Sequence, residues 1–349
     1  MNLILLNNKN FKNMNMNFIL YMMLFFSTIL VMNSSSWLSA WMGLEINMMS
    51  FIPLMTNNKN YLKSSNAMMT YFIVQVISSS ILIMMMLNMK TIKMSMNSNL
   101  MSSMMMMSLI MKLGAVPFHW WIPKVMFNLN WLNCLILMTW QKIAPIMLMF
   151  QLPNKSMIYI TAILSAFLGS MMSMNYNSLK LMLSFSSINH SGWMLLAMML
   201  NFKIMYVYFL FYTTINTIIC LNLNKFNMTY LDQMFKINNN NKMIKLIINS
   251  SFLSLGGVPP FLGFLPKLMI LILMIKNELF IETFLMIILT LMILSVYMNS
   301  FISSLLLNKM NIKWMNKIYK NLNSNKFHLY SWNLMMMLTM SMWLMSKVI

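Results

Sequence analysis

Pro117-Phe118 is followed, after four intervening residues, by Pro123-Lys124, and 143 residues further on the phrase returns as Pro260-Phe261 and Pro266-Lys267. Each copy interrupts an apolar stretch that otherwise reads as a membrane-spanning helix. Proline removes a backbone donor and clashes with the preceding turn, so it breaks a helix interior. In lipid, broken backbone survives only where protein or an aqueous cavity satisfies the freed groups. A matched pair of Pro-interrupted hydrophobic segments is the signature of a transporter built from repeats, with its ion path at the breaks. Short phrases in a narrow composition also recur by chance. Here the shared spacing and the shared helix-interrupting context both favour a true repeat.

The rest of the chain supports a membrane setting. Hydrophobic residues make up 60% and charged residues only 8% of the 349 residues, far below the roughly 25% charged residues of a soluble domain. The acids are Glu45, Asp232, Glu278 and Glu282, and every one of the 24 cationic residues is Lys. A net charge of +20 points to nucleic acid only when the charge gathers on a folded face. These lysines are scattered between apolar runs, so no nucleic-acid partner is expected. The 53 Met residues and the absence of Arg fit an AT-rich genome that also reads ATA as Met, as animal mitochondrial DNA does. Met replaces Leu and Ile as a flexible apolar filler.

Redox chemistry finds little support. Cys134 and Cys220 lie in separate apolar runs and read as inert buried thiols, with disulfide or metal binding the lesser alternatives. His119, His190 and His328 are too few for the four axial nitrogens of a two-haem membrane cytochrome. At the N-terminus, Met1 to Asn10 holds a four-residue apolar run, too short for a signal-peptide core.

Segments near the 20 or so apolar residues that a spanning helix needs lie over 15–32, 34–56, 67–88, 99–128 (broken), 133–150, 156–174, 179–201, 203–222, 244–276 (broken), 281–307 and 330–347. The expected fold is all-α and polytopic, a single membrane domain over 1–349 with about eleven transmembrane helices. Alternating sides from the N-terminus puts fourteen loop lysines on the N-terminal side and six on the other. By the positive-inside rule, the N-terminus faces the matrix, or the cytoplasm in a bacterial frame. Spans four and nine then run in opposite directions. The expected plan is an inverted repeat, 15–150 against 156–307, with 330–347 appended.

Lys112, Lys124, Lys142 and Lys267 remain within or near apolar spans, together with Glu45 in Trp41–Asn47. A charge at the bilayer centre costs about 2.5–3.5 kcal/mol on insertion scales, so it should face the bundle interior and find a partner. Lys124, just past Pro123, reads better as a lysine snorkelling to the interface. Lys112 and Lys142 sit deeper, each with an apolar-rich stretch before it and a proline soon after. Desolvation favours a neutral amine and a nearby carboxylate favours the ammonium, so moving that carboxylate switches a buried lysine between the two. This is proton-relay chemistry, and Glu45 is the natural acid partner. His190, within Ser187–Trp193, reads equally well as a relay through its two ring nitrogens or as a structural histidine. His119, beside Trp120 and Trp121, reads as interfacial. Glu278 and Glu282 sit at a span boundary and read as solvated.

Taken together, Trp41–Asn47, Lys112–Pro123 (KLGAVPFHWWIP), Trp140–Pro145 (WQKIAP), Ser186–Trp193 and Gly256–Lys267 (GGVPPFLGFLPK) resemble the subunit 2 family among the antiporter-like membrane subunits of respiratory NADH:ubiquinone oxidoreductase, complex I. Subunits 4 and 5 share the broken-helix plan but are longer. The resemblance implies a mitochondrially encoded, multi-pass inner-membrane subunit whose N-terminus faces the matrix. It implies that this chain carries no cofactor of its own, and that flavin, iron–sulfur clusters and quinone belong to other subunits. The chain would count as an enzyme only as part of a proton-translocating reductase. Subunits 4 and 4L would be among its partners, with membrane lipids such as cardiolipin around it. By motif match, Glu45 would pair with Lys112, Lys142 would be the central relay lysine, and Lys267 would serve the far half-channel. Pro117, Pro123, Pro259, Pro260 and Pro266 would mark the helix breaks. Two departures from the family stand out. Lys124 stands where an acid is usual, and Asn189 and Ser191 replace the usual neighbours of His190. The alternative from another class is a stand-alone cation/proton antiporter of the same fold; a purely structural membrane spacer is a third reading.

Overall fold

In a computed structural model the structure describes residues 2–56, 61–91, 98–231, 233 and 242–310. The described residues are almost entirely helical and form no β-strand; Ser178 and Tyr230 make one isolated bridge. The helices are α1 (Asn2–Met32), α2 (Trp37–Met55), α3 (Tyr61–Thr91), α4 (Ser98–Leu113), α5 (Trp121–Asn128), α6 (Trp131–Met138), α7 (Trp140–Phe150), α8 (Lys155–Ser173), α9 (Leu179–Leu200), α10 (Phe202–Phe226), α11 (Lys242–Gly256), α12 (Phe264–Lys276) and α13 (Phe280–Met310). The expected C-terminal span over 330–347 lies outside the described residues. Among the described residues, five helical stretches are each long and apolar enough to cross a membrane: Ser64–Asn88, Trp131–Phe150, Lys155–Ser173, Phe202–Phe226 and Phe280–Asn299. The chain is a multi-pass membrane protein.

Its surface agrees with that setting. Phe18, Leu62, Ile281 and Phe284 are exposed, while Ser, Asn, Gln and three lysines are buried. An apolar exterior around polar groups inverts the soluble pattern and is stable where lipid replaces water.

The chain divides into two compact units, Met1–Ile160 and Thr161–Ile349. In the first, α1 packs on α2, and α3 packs on α2, α4 and α5, while α7 lies against α4, α1 and α2. Phe51, Leu54, Leu82, Met106 and Leu109 fill its core. In the second, α9 and α10 pack together and both touch α12, while α11 packs on α10 and α13.

Helix α9 is buried nearly all round although it carries Ser184, Ser186, Ser187, Asn189, His190 and Ser191. Its serine hydroxyls donate hydrogen bonds to carbonyls of the preceding turn, Ser186 to Leu183, Ser187 to Ser184 and Ser191 to Ile188. A polar helix therefore enters the core without orphaned hydroxyls. Small residues bring α8 against it. A Cβ on Gly192 would stand 2.6 Å from the Ala162 carbonyl oxygen, and one on Gly169 would stand 2.6 Å from the Asn189 nitrogen. Close helix contact through small residues is the usual packing device in membranes.

One expected span differs. Residues 133–150 read as one helix, yet Thr139 ends α6 and begins α7 with φ −110° and ψ −71°. Thr139 Oγ1 donates to the Leu135 carbonyl at 2.7 Å, and the Lys142 amide bonds Thr139 rather than the residue four before it. Back-bonding by threonine bends helices, and Pro145 further on offers no amide to the Gln141 carbonyl. Two further expectations shift at their ends: α1 starts at Asn2 rather than near 15, and α2 starts after Ser36, whose Oγ accepts from the Ser39 amide.

Candidate functional site

The two breaks share one backbone design. In the first unit, α4 ends at Leu113, Gly114 takes φ +72°, and the amides of Gly114 and Ala115 both bond the Ile110 carbonyl. In the second, Gly257 takes φ +86°, and the amides of Gly257 and Val258 both bond Leu253. The next turn repeats as well, with the Phe118 amide on Ala115 and the Phe261 amide on Val258. Each group in the second break lies 143 positions after its counterpart in the first. A left-handed residue that lets two amides share a carbonyl is a glycine-terminated helix end, and each break opens with one.

Pro117, Pro259 and Pro260 lie inside these breaks. Pro123 and Pro266 do not. They sit in the first turns of α5 and α12, where an amide has no helical acceptor and proline costs nothing. They begin the second half-helices rather than end the first.

The lysines then separate by environment. Lys112 is in the last turn of α4 and 6% exposed. There the unpaired carbonyls of a helix end favour a cation. Glu45, half-buried on α2, is close enough to interact electrostatically with both Lys112 and Tyr71. Lys142 is buried in the first turn of α7. Lys267, in α12, folds back across its break, and its Nζ donates to the carbonyls of Leu255 at 2.9 Å and Gly256 at 3.0 Å. Lys124, at the corresponding place in α5, is exposed and lies over the Trp120 ring at 5.2 Å. At the end of α4 the side-chain donor is Trp121 instead, whose Nε1 donates to the Met111 carbonyl at 3.1 Å, beside the Gly114 amide.

Three residues that sequence reasoning passed over join this region. Gln141 Nε2 donates to Asn47 Oδ1 at 3.0 Å, and Gln141 Oε1 accepts from the Tyr71 hydroxyl at 3.3 Å. One amide thus ties α2, two residues from Glu45, to α3 and to α7, one residue from Lys142. The only signal in the sequence was a glutamine inside an apolar run.

In the second unit His190 is buried, and its Nδ1 shares a 2.7 Å hydrogen bond with the Tyr208 hydroxyl. Its ring also lies 5.1 Å from that of Tyr212. The two unusual neighbours take packing roles: Asn189 Nδ2 donates to the Ala166 carbonyl, and Ser191 bonds its own helix. His119 is half-buried, with Nδ1 enclosed and lacking an acceptor or donor. Glu278 is exposed, and Glu282 stands in the first turn of α13, where helix amides favour an acid. Cys134 and Cys220 are buried as thiols, and Cys134 Sγ donates to the Met126 carbonyl. Among the described residues no cluster of His, Cys, Asp or Glu is built to hold a metal ion.

Two helices broken by one design, with lysines buried beside the breaks in a lipid-facing bundle, define an antiporter-like polytopic membrane protein. Residues 34–295 match the family described as NADH:quinone oxidoreductase/Mrp antiporter, TM, and the chain belongs to that family. Proteins named NADH-ubiquinone oxidoreductase chain 2 are similar to it over most of their length. That of Anopheles gambiae is 45% identical over 305 residues, 86% of this chain and 89% of its own. That of Locusta migratoria is 38% identical over 301 residues, 85% and 88% of the two chains. Among solved structures, a chain of respiratory complex I from Thermus thermophilus matches with a TM-score of 0.78 at 17% identity, over 93% of this chain and 78% of that one. A chain of the Mrp complex from Dietzia sp. matches with a TM-score of 0.69 at 13% identity, over 81% and 59%. Both structural matches speak to the fold.

Proposed function

We propose that this chain is a membrane subunit of mitochondrial NADH:ubiquinone oxidoreductase. In this reading it couples electron transfer elsewhere in the complex to proton translocation across the inner membrane. The observation that carries the proposal is the pair of equivalent breaks with Lys112 and Lys267 buried beside them, in a chain so similar to chain 2 proteins. The halves 15–150 and 156–307 form an inverted repeat, the N-terminus faces the matrix, and other membrane subunits of the complex, among them 4 and 4L, flank the chain.

In this mechanism Glu45 sets the charge state of Lys112. A charge rearrangement arriving from a neighbouring subunit changes the field of Glu45 at Lys112, and Lys142 takes up or releases a proton in response. Lys267 exchanges with the opposite side, and its geometry suits that task. An ammonium has three donors and a neutral amine two. With two N–H groups held by the Leu255 and Gly256 carbonyls, the third proton can leave while both bonds persist. The side chain then changes charge without changing place. His190 serves as a further relay point.

The decisive experiment replaces Lys142 by Met in the assembled complex and measures protons moved per NADH oxidised. The expected result is a lowered proton yield with assembly intact. Full turnover with an unchanged yield would remove the relay role. A chain that migrates alone on a native gel and exchanges ions without NADH would instead be a stand-alone antiporter.

A further inference from the structure

Two polar helix faces meet in the second unit. On α9, Ser186, Ser187, His190 and Trp193 recur at helical spacing and share one face, and all four are buried. On α10, Tyr208, Tyr212 and Asn216 stand four residues apart in succession, each almost fully enclosed. Four residues rise about 6 Å along a helix, so the three form a ladder roughly two turns long. The hydrogen bond between His190 Nδ1 and the Tyr208 hydroxyl joins the two faces. Tyr212 sits beside the same imidazole and approaches Ser187 and Asn216.

A third phenol continues the line toward the second break. Tyr297 of α13 is buried, stacks on Phe252 with ring centroids 5.7 Å apart, and approaches Ser186. Its ring edge lies against Gly256: a Cβ there would be 3.4 Å from Tyr297 Cδ2. The Gly256 carbonyl is one of the two that hold Lys267 Nζ. Tyr208, Tyr212 and Tyr297 are also close enough to interact electrostatically. Trp193 Nε1 and Asn216 Nδ2, in the same cluster, are enclosed donors with no acceptor in the protein. Buried donors of this kind are ordinarily satisfied by ordered water.

We infer that Tyr208, Tyr212 and Tyr297, joined by water held at Trp193 and Asn216, form a hydroxyl chain that passes protons between His190 and the Lys267 break. The inference rests on the proposed pumping role and names the path within it. At each phenol, oxygen accepts a proton through a lone pair while the resident O–H proton departs to the next acceptor. At His190, one ring nitrogen gains a proton as the other loses one. Every group returns to its starting composition after one proton has crossed, and no electron moves.

Phenylalanine keeps each ring and removes only the hydroxyl, so Tyr212→Phe, Tyr297→Phe and the double variant are built into the assembled complex beside Lys142→Met. Protons moved per NADH are measured in sealed vesicles, with the rates of proton release compared in H2O and D2O. The expected result is normal assembly with the proton yield lowered as in Lys142→Met, and loss of the wild-type isotope sensitivity of release. If the tyrosine variants pump at wild-type yield while Lys142→Met does not, the hydroxyl chain is wrong and the proposed function stands. If Lys142→Met also pumps normally, the proposed function falls and the chain with it. Should the double variant not assemble, the single variants decide on the same readouts.

Discussion

Lys267 lies directly over Gly257, so closely that a Cβ on the glycine would meet Lys267 Cδ at 3.0 Å and Nζ at 3.1 Å. Two requirements coincide at that residue. Its φ of +86° suits glycine, and its missing side chain leaves room for the ammonium to reach the helix-end carbonyls. Gly257→Ala is expected to cost about 1–2 kcal/mol from the left-handed backbone alone, and to push Lys267 off one of its carbonyls. Gly256→Ala is the control, since its nearest neighbour, Tyr297 Cδ2, is at an ordinary 3.4 Å. The temperature of thermal inactivation of the assembled complex and its proton yield should both fall for Gly257→Ala and hold for Gly256→Ala. Equal behaviour of the two variants would show that the contact with Lys267 is immaterial.

Lys124 and Lys267 occupy the same place in their respective half-helices but differ in every contact. Lys124→Gln removes an exposed cation resting on Trp120, and exposed cation–π pairs contribute little. Neither NADH oxidation nor proton yield should change. Lys267→Gln removes the titratable proton and shortens the side chain, drawing its donor back from the Leu255 and Gly256 carbonyls, so pumping should drop. A pumping defect in Lys124→Gln would mean that the first break also works through its second half-helix.

The doubled phrase made both breaks legible in the sequence, because proline and glycine act locally and their chemistry follows from residue type. The snorkelling reading of Lys124 and the buried reading of Lys112 and Lys142 were legible too, since each followed from distance to the nearest proline or polar loop. What stayed hidden depended on neighbours distant in sequence. The doubled Pro-Lys phrase by itself does not tell Lys267 from Lys124, because their contacts differ in which side chain reaches the helix end behind it: Trp121 in one break, Lys267 itself in the other. The Thr139 interruption was masked because a hydroxyl that bonds its own helix looks like any other threonine in an apolar run. Asn47 and Gln141 are 94 residues apart, and no local pattern links them.

Gln141 holds α2, α3 and α7 together through both ends of one amide. Gln141→Leu keeps the side chain's approximate size but leaves the Asn47 oxygen and the Tyr71 hydroxyl buried without this partner. An unsatisfied buried polar group costs about 1–3 kcal/mol, so lower thermal stability of the complex is expected. Because Glu45 and Lys142 sit on the helices being tied, the proton yield should fall further than the loss of stability explains. Adding Asn47→Leu should recover stability by removing the orphaned polar group, but not the yield. Recovery of both would mean that the amide serves packing alone.

The sharpest stability contrast falls at another corresponding pair. Gly263 precedes α12 with φ −68° and ψ −15°, and Trp120 precedes α5 with φ −57° and ψ −24°. Neither conformation demands glycine, so the difference lies in space. A Cβ on Gly263 would run into the Ser254 carbonyl oxygen, while Trp120 is half exposed and accommodates an indole. Backbone cannot yield as a flexible side chain can, so Gly263→Ala must displace α12 from the end of α11. That displacement would pull Lys267 away from Leu255 and Gly256. The expected outcome is failure of the Gly263→Ala chain to accumulate in the assembled complex, read on a native gel, while Trp120→Ala assembles and oxidises NADH normally. Normal assembly of Gly263→Ala would show that the second break tolerates wider spacing between its halves. Lys267 would then have to hold its carbonyls across a looser gap than the one observed.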